Sequence, residues 1–115
     1  DTVSAKVELI CRAKAAGTPI ISCMGAGNKL DPTRFVVTDL SRTDTCPLAR
    51  VLRQRLRKRG ITHLQVVYST EPPLTPLEAV ADGGRRQLPG SVSFVPSAAG
   101  LAAAGAVVRA LCEKE

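Results

Sequence analysis

Cys46 is the thiol with a local chemical argument in its favour. It falls at a predicted helix N-terminus, directly before a run of arginines. Both features favour the thiolate form of a cysteine, which is the reactive form in catalysis. A loop cysteine without chemical importance fits the same position, and it remains the simpler interpretation. The other three cysteines, Cys11, Cys23 and Cys112, form no Cys-x-x-Cys pair of the zinc or redox kind.

The second chemical feature is a basic segment, residues 50–59. The chain has 16 Lys and Arg against 10 Asp and Glu, and the segment holds five Arg, one Lys and no acid. It therefore carries the whole excess charge of +6. Such a stripe attracts phosphate backbones or acidic partners, and a plain solvated helix face is an equal alternative.

The sequence lacks the residues that several kinds of binding and catalysis require. Aromatic residues make up 3% of the chain, too few for base-stacking platforms. Gly25 and Gly27 are not followed by the third glycine of a dinucleotide-binding loop, and no P-loop is present. The single histidine, His63, falls in a predicted strand and is more typical of a structural role than of a catalytic triad.

The elements that must position these residues follow an α/β pattern. A helix is predicted over residues 3–16, capped by Asp1 or Thr2 and ended by Gly17. Its apolar face consists of Val3, Val7, Ile10 and Cys11. Strands are predicted over 19–23, 35–40 and 61–68, and a long flexible loop over 72–90.

The basic segment falls on a helix predicted from Pro47 to Arg59, with Asp44 or Thr45 as its cap. Its predicted apolar stripe consists of Leu48, Val51, Leu52 and Leu56. Helical projection places Arg50, Arg53 and Arg57 on the solvated face and Arg55 inside the stripe. A buried Arg55 needs a partner. An internal carboxylate is favoured over a phosphate.

The last helix, predicted over 93–112, is dominated by alanine and glycine. A membrane span is the alternative, but the run is short, rich in Ala and interrupted by Pro96. We expect a helix that packs closely against a sheet or a partner subunit. The chain also opens without the basic start and apolar run of a signal peptide, so we expect a cytoplasmic protein with reduced thiols.

Eight segments, in order, resemble the ThiF/MoeB/HesA superfamily of ATP-dependent adenylating enzymes. Within it they are most similar to the branch that dehydrates threonylcarbamoyladenosine in tRNA. The segments are DTVSAK (1–6), PIISCMGAG (19–27), LDPT (30–33), VVTD (36–39), PLA (47–49), LRQRL (52–56), YSTE (68–71) and PGS (89–91). The resemblance implies one domain over 1–115, the C-terminal half of a Rossmann-type adenylating domain with a mixed sheet and flanking helices. The glycine-rich nucleotide-binding half would lie upstream, and the fragment alone would be inactive.

The resemblance also implies site residues and cofactors. Asp1 matches the second acid of a D-x-x-D motif that holds ATP and its Mg²⁺, which makes it the implied catalytic, cofactor-binding and metal-binding residue. A carboxylate suits Mg²⁺, which takes oxygen ligands and bridges phosphates. Two positions depart from the family pattern, because Cys46 stands where relatives commonly have Asp, and Pro89 where some have Cys.

The implied substrate is tRNA, whose modified base is activated as an acyl-adenylate and closed into a ring with loss of water. This gives Arg50, Arg53, Arg57 and Lys58 a predicted role in binding the tRNA backbone. The resemblance also implies a homodimer, with a cysteine desulfurase or sulfur-acceptor system as a possible partner and no membrane. Two alternatives stay open: an activator of a ubiquitin-like or sulfur-carrier C-terminus, and a non-catalytic dimerisation or interaction domain.

Overall fold

The computed structural model describes residues 2–72 and 92–113. Within these residues, three α-helices and three strands follow one another in the order helix, strand, strand, helix, strand, helix. They are α1 (Val3–Ala16), β1 (Ile21–Cys23), β2 (Phe35–Asp39), α2 (Pro47–Lys58), β3 (Gln65–Ser69) and α3 (Phe94–Cys112). Asp1, Pro89 and all of the predicted 72–90 loop except Pro72 lie outside the described residues.

The predicted α/β class and mixed sheet are confirmed. The strand order is β1-β3-β2, with β1 parallel and β2 antiparallel to the central β3. All three strands are shorter than predicted. Residues 61–64 form an extended approach to β3, and Leu40 leaves the sheet in a 3-10 turn that Asp39 caps. His63 consequently precedes β3 and is exposed.

Helix α1 has the predicted bounds and the predicted apolar face. Val7 and Ile10 are buried, and Val3 and Cys11 pack partly against the same core. Gly17 ends the helix with a φ of 70°, a left-handed conformation that glycine adopts without a Cβ clash. Thr2 occupies the N-cap position, but its side chain makes no capping hydrogen bond.

Helix α2 differs from the prediction in its cap and in its buried face. The N-cap residue is Cys46, not Asp44 or Thr45, because Thr45 adopts a left-handed φ of 54° and the helix starts after it. The fully buried positions are Ala49, Leu52 and Leu56. Val51 was predicted to lie in the stripe and is 36% exposed.

The sheet has helices on both faces. Helices α1 and α2 enclose the main core on the face that carries Leu64, Val66 and Tyr68. Helix α3 contacts all three strands, and its own buried residues are Val95 and Ala99. The Cys23 thiol lies 3.8 Å from the Ala99 carbonyl oxygen, so β1 and α3 approach closely through small side chains.

Much of α3 is exposed. Phe94, Leu101, Val108 and Leu111 are each more than half exposed. The helix has 19 residues; an 18-residue window within it has a mean hydropathy of 1.5, and 11% of that window is buried. By length and composition it is able to cross a membrane, which for a single helix is weak evidence.

Candidate functional site

A surface cavity of about 350 Å³ opens at the carboxyl end of β1. The first turns of all three helices reach it, through Thr2 of α1, Leu48 of α2 and Pro96 of α3. Ligands of open α/β sheets bind at this edge of the sheet. Helix N-termini present free N–H groups and partial positive charge, which favour phosphate and other anions.

Lys6 lies in the wall of this cavity and was not predicted as a site residue. Its Nζ donates to the Cys23 carbonyl oxygen at 2.8 Å and to Ser22 Oγ at 3.2 Å, so α1 is tied to the end of β1. The signal in the sequence was its spacing, since Lys6 follows Val3 by three positions and precedes Ile10 by four. A lysine at that spacing lies on the buried face of the helix.

The loop after β1 is fastened to Glu71, two residues beyond the end of β3. The Glu71 carboxylate accepts hydrogen bonds from the backbone N–H groups of Leu30 (3.0 Å) and Asp31 (2.9 Å). Lys29 is 3% exposed, and its Nζ donates to the Glu71 carbonyl oxygen at 2.6 Å. The hydrogen bonds from Asp31 and then Leu30 lower the pKa of Glu71. We call this group, Lys29 to Asp31 with Glu71, the loop clamp.

At the opposite edge of the sheet, the Asp39 carboxylate interacts with three residues. Its carboxylate accepts from the backbone N–H (2.9 Å) and hydroxyl of Ser41, from the Leu64 N–H at 3.1 Å, and contacts His63 Nδ1 at 3.4 Å. Burial raises the pKa of Asp39, but the hydrogen bonds from Ser41, His63 and Leu64 outweigh it and bring the pKa to about 2. Asp39 is therefore ionised at neutral pH and joins the end of β2 to the start of β3.

The four predicted backbone-binding residues all lie on α2. Arg50, Arg57 and Lys58 are exposed. Arg53 is half-buried, because its Nη1 donates to the Thr43 carbonyl oxygen at 2.9 Å and also to the Thr43 hydroxyl. Thr43 thus holds the guanidinium of Arg53 in place, whereas the side chains of the other three residues are exposed to solvent.

The prediction that Arg55 lies inside the apolar stripe of α2 was wrong. Arg55 is exposed, and its Nη1 donates to Ser4 Oγ at 3.3 Å, because the buried face of α2 is centred on Ala49, Leu52 and Leu56. The expected link from this helix to a carboxylate is made instead by Arg59, which lies 3.5 Å from Glu8 of α1.

Cys46 and Asp1 complete the predicted set. Cys46 is at the N-terminus of α2 as predicted, but it is 4% exposed and packs in the main core. Burial of the thiol supports the packing interpretation over a reactive one. Asp1 lies outside the described residues. Within 2–72 and 92–113, no three His, Cys, Asp or Glu side chains are grouped as a metal site.

Comparisons with known proteins agree with this fold and with the resemblance. No family model matches the chain. The tRNA threonylcarbamoyladenosine dehydratase of Bacillus subtilis is 42% identical over 118 residues, which cover 94% of this chain and 46% of that protein. Dehydratase 2 of Saccharomyces cerevisiae is 47% identical over 74 residues, or 64% of this chain and 17% of that protein.

The solved structures include the Escherichia coli enzyme TcdA in complex with ATP. It has a TM-score of 0.83 and 30% identity, and the match covers 99% of this chain and 46% of that one. The same enzyme in complex with AMP has a TM-score of 0.82. The chain thus spans about half the length of the relatives it matches.

Fold and site together define part of an α/β protein with a surface cavity at the carboxyl end of β1. The chain is a partial relative of the tRNA threonylcarbamoyladenosine dehydratases.

Proposed function

We propose that this chain forms part of an ATP-dependent enzyme that adenylates and cyclises threonylcarbamoyladenosine beside the anticodon of tRNA, with loss of water. The match over 99% of the chain to the E. coli enzyme solved with ATP carries the proposal. The whole domain, 1–115, would be the C-terminal half of the enzyme and inactive by itself.

The cavity at the carboxyl end of β1 supports a nucleotide site. Three helix N-termini and the Lys6 ammonium surround it, and this is the chemistry that phosphate groups require. Asp1 directly precedes Thr2 in the sequence, and Thr2 lines the cavity. Asp1 would hold ATP through Mg²⁺. Bound ATP would supply the adenylyl group that activates the substrate carboxylate, while α1, α2 and α3 hold the walls in place.

The loop clamp gives this site a defined boundary. Met24, Gly25 and Ala26 line the cavity, and the chain that follows them is held at Lys29 to Asp31 by the Glu71 group. The lining segment is therefore held at both ends, by β1 on one side and by the loop clamp on the other.

The wider assembly is also a proposal. Arg50, Arg53, Arg57 and Lys58 would contact the tRNA backbone, and a sulfur-transfer partner would act with the enzyme in the cytoplasm. The exposed apolar side of α3 would pair with a second subunit rather than with lipid. Phe94, Leu101 and Val108 support this, because they recur every seven residues, the spacing of helix pairing.

The test uses the protein encoded by the complete reading frame that contains this sequence. It is incubated with ATP and tRNA carrying threonylcarbamoyladenosine, and the nucleoside is analysed by mass spectrometry. We expect loss of one water that requires ATP. An unchanged nucleoside, with adenylation of a sulfur-carrier or ubiquitin-like C-terminus instead, would replace this function with the alternative one.

A further inference from the structure

A second cavity, of about 270 Å³, lies at the edge of the sheet opposite the cavity at the carboxyl end of β1. It is formed where the C-terminal half of α2 faces the approach to β3. Its seven described lining residues combine two guanidinium groups, one imidazole and two hydroxyl groups with two aliphatic side chains. They are Leu40, Ser41, Arg53, Arg57, Ile61, Thr62 and His63. We call this the basic cavity.

The cations of the basic cavity differ in how they are held. Arg53 is fixed through the two bonds from its Nη1 to Thr43, which leaves its other N–H donors for a ligand. Arg57 is exposed. The acid in contact with this group is Asp39, which is paired with His63 and with the Ser41 hydroxyl. One carboxylate held in that way does not neutralise two guanidinium groups.

Arg53 also lines a neighbouring cavity, of about 580 Å³, together with Arg50 and the first turn of α2. Two basic cavities therefore follow one another along α2 and share a fixed arginine. A single free anion occupies one of them, whereas a chain of repeated anions occupies both. No Phe, Tyr or Trp is among the described residues that line either cavity, so neither offers a large aromatic platform for a stacked base.

We propose that the basic cavity binds a phosphodiester group of an RNA strand, with the next phosphates of the strand at the Arg50 cavity. Guanidinium groups suit this ligand because their planar N–H donors match two phosphate oxygens. The contact is to the backbone and carries no base recognition. The choice of RNA rests on the proposed function, whereas the anion site rests on the side chains that line it.

The test is RNA binding by the complete protein, measured by fluorescence anisotropy with an anticodon stem-loop. Arg57→Ala should weaken binding about three- to tenfold at moderate salt and make the salt dependence shallower by about one ion. Arg57→Glu should weaken binding further, and Arg57→Lys should recover part of it. The matched control is Arg12→Ala, an arginine of α1 whose side chain is 79% exposed and pairs with Glu8.

Equal losses from Arg57→Ala and Arg12→Ala, or no loss from either, would overturn the proposal. Circular dichroism confirms that the variants fold. A polyglutamate competitor distinguishes RNA from an acidic protein. If polyglutamate displaces the RNA at matched charge, and its own binding is weakened by Arg57→Ala, the surface is a protein-docking site and the proposal fails. The dehydration assay is independent, since RNA binding that needs Arg57 without dehydration would refute the proposed function and leave the phosphate site standing.

Discussion

Replacing Asp39 with asparagine tests how the end of β2 is joined to the start of β3. The distance of the Asp39 pKa, about 2, from its ordinary value of 3.8 corresponds to about 2 kcal/mol of stabilisation at neutral pH. Because the side chain is 29% exposed, solvent screening reduces this, and we expect Asp39→Asn to cost roughly 1 to 2 kcal/mol. The assay is urea unfolding followed by circular dichroism.

The sign of the pH dependence follows from the lowered pKa. A carboxylate with a folded pKa below its unfolded value stabilises the fold fully above the unfolded value. That contribution is lost as the pH falls through about 4 towards about 2. The wild-type protein should therefore lose stability over this range, and Asp39→Asn should lose less.

A control for this experiment is Glu8→Gln, on the exposed surface of α1. It should change the free energy of unfolding by less than about 0.5 kcal/mol. If Asp39→Asn is as stable as wild type near neutral pH, or if both proteins lose equal stability in acid, the hydrogen bonds to Asp39 do not carry the stabilisation assigned to them.

Five further variants test the core, the backbone and the loop clamp. Leu52→Ala, at a position with 0% exposure, should lower the free energy of unfolding by about 2 to 5 kcal/mol, measured by urea unfolding. Val51→Ala, at 36% exposure, should lower it by less than about 1 kcal/mol. Equal losses would contradict the observed buried face of α2. Gly17→Ala should destabilise by about 1 kcal/mol because φ is +70°, and Gly100→Ala, with open space at its Cβ, should stabilise the helix by roughly 0.5 to 1 kcal/mol in thermal melts. Glu71→Gln should speed hydrogen exchange at the two backbone amides that the carboxylate binds, and unchanged exchange there would show that the clamp is not needed.

The sequence predicts well those elements whose ends have strong local signals. The bounds of α1 were predicted because an apolar face with a period of 3.6 residues meets a glycine that ends it. Helix α3 was predicted within one residue at its start for a related reason, its continuous small apolar run. The strands are shorter than predicted. For β2 and β3 the reason is that Leu40, Ile61 and Leu64 are apolar but lie outside the ladder: the Ile61 N–H donates to Leu56 of α2 and the Leu40 N–H to the Leu64 carbonyl oxygen.

The buried face of α2 could not be predicted because the choice depends on Ala49. Alanine contributes little to an apolar pattern, so the larger Val51 seemed to define the stripe. In the fold, the small side chain at Ala49 is fully buried, and the resulting rotation exposes both Val51 and Arg55. Tertiary packing therefore decided a position that the local pattern assigned wrongly.

The candidate sites also combine features with a local sequence signal and features that depend on tertiary packing. The basic character of α2 was evident from the sequence, but the pairing of Arg57 with His63 in one cavity depends on the packing of α2 against 61–63. Glu71 appeared only within a motif, and its partners lie about 40 positions earlier in the chain. Long-range contacts of this kind have no local signal.

The two cavities lie near opposite ends of α2, which relates the two proposals geometrically. Leu48 lines the cavity at the carboxyl end of β1, and Arg57 lines the basic cavity. Nine residues of α-helix separate these two positions by about 14 Å along the helix axis. A tRNA that followed α2 with its phosphates would therefore be able to place one base near the adenylating cavity while its backbone stays at the basic one. The exposed arginines of α2 would then fix the distance from the reacting base without reading the sequence, as a modification directed at one position of a tRNA requires.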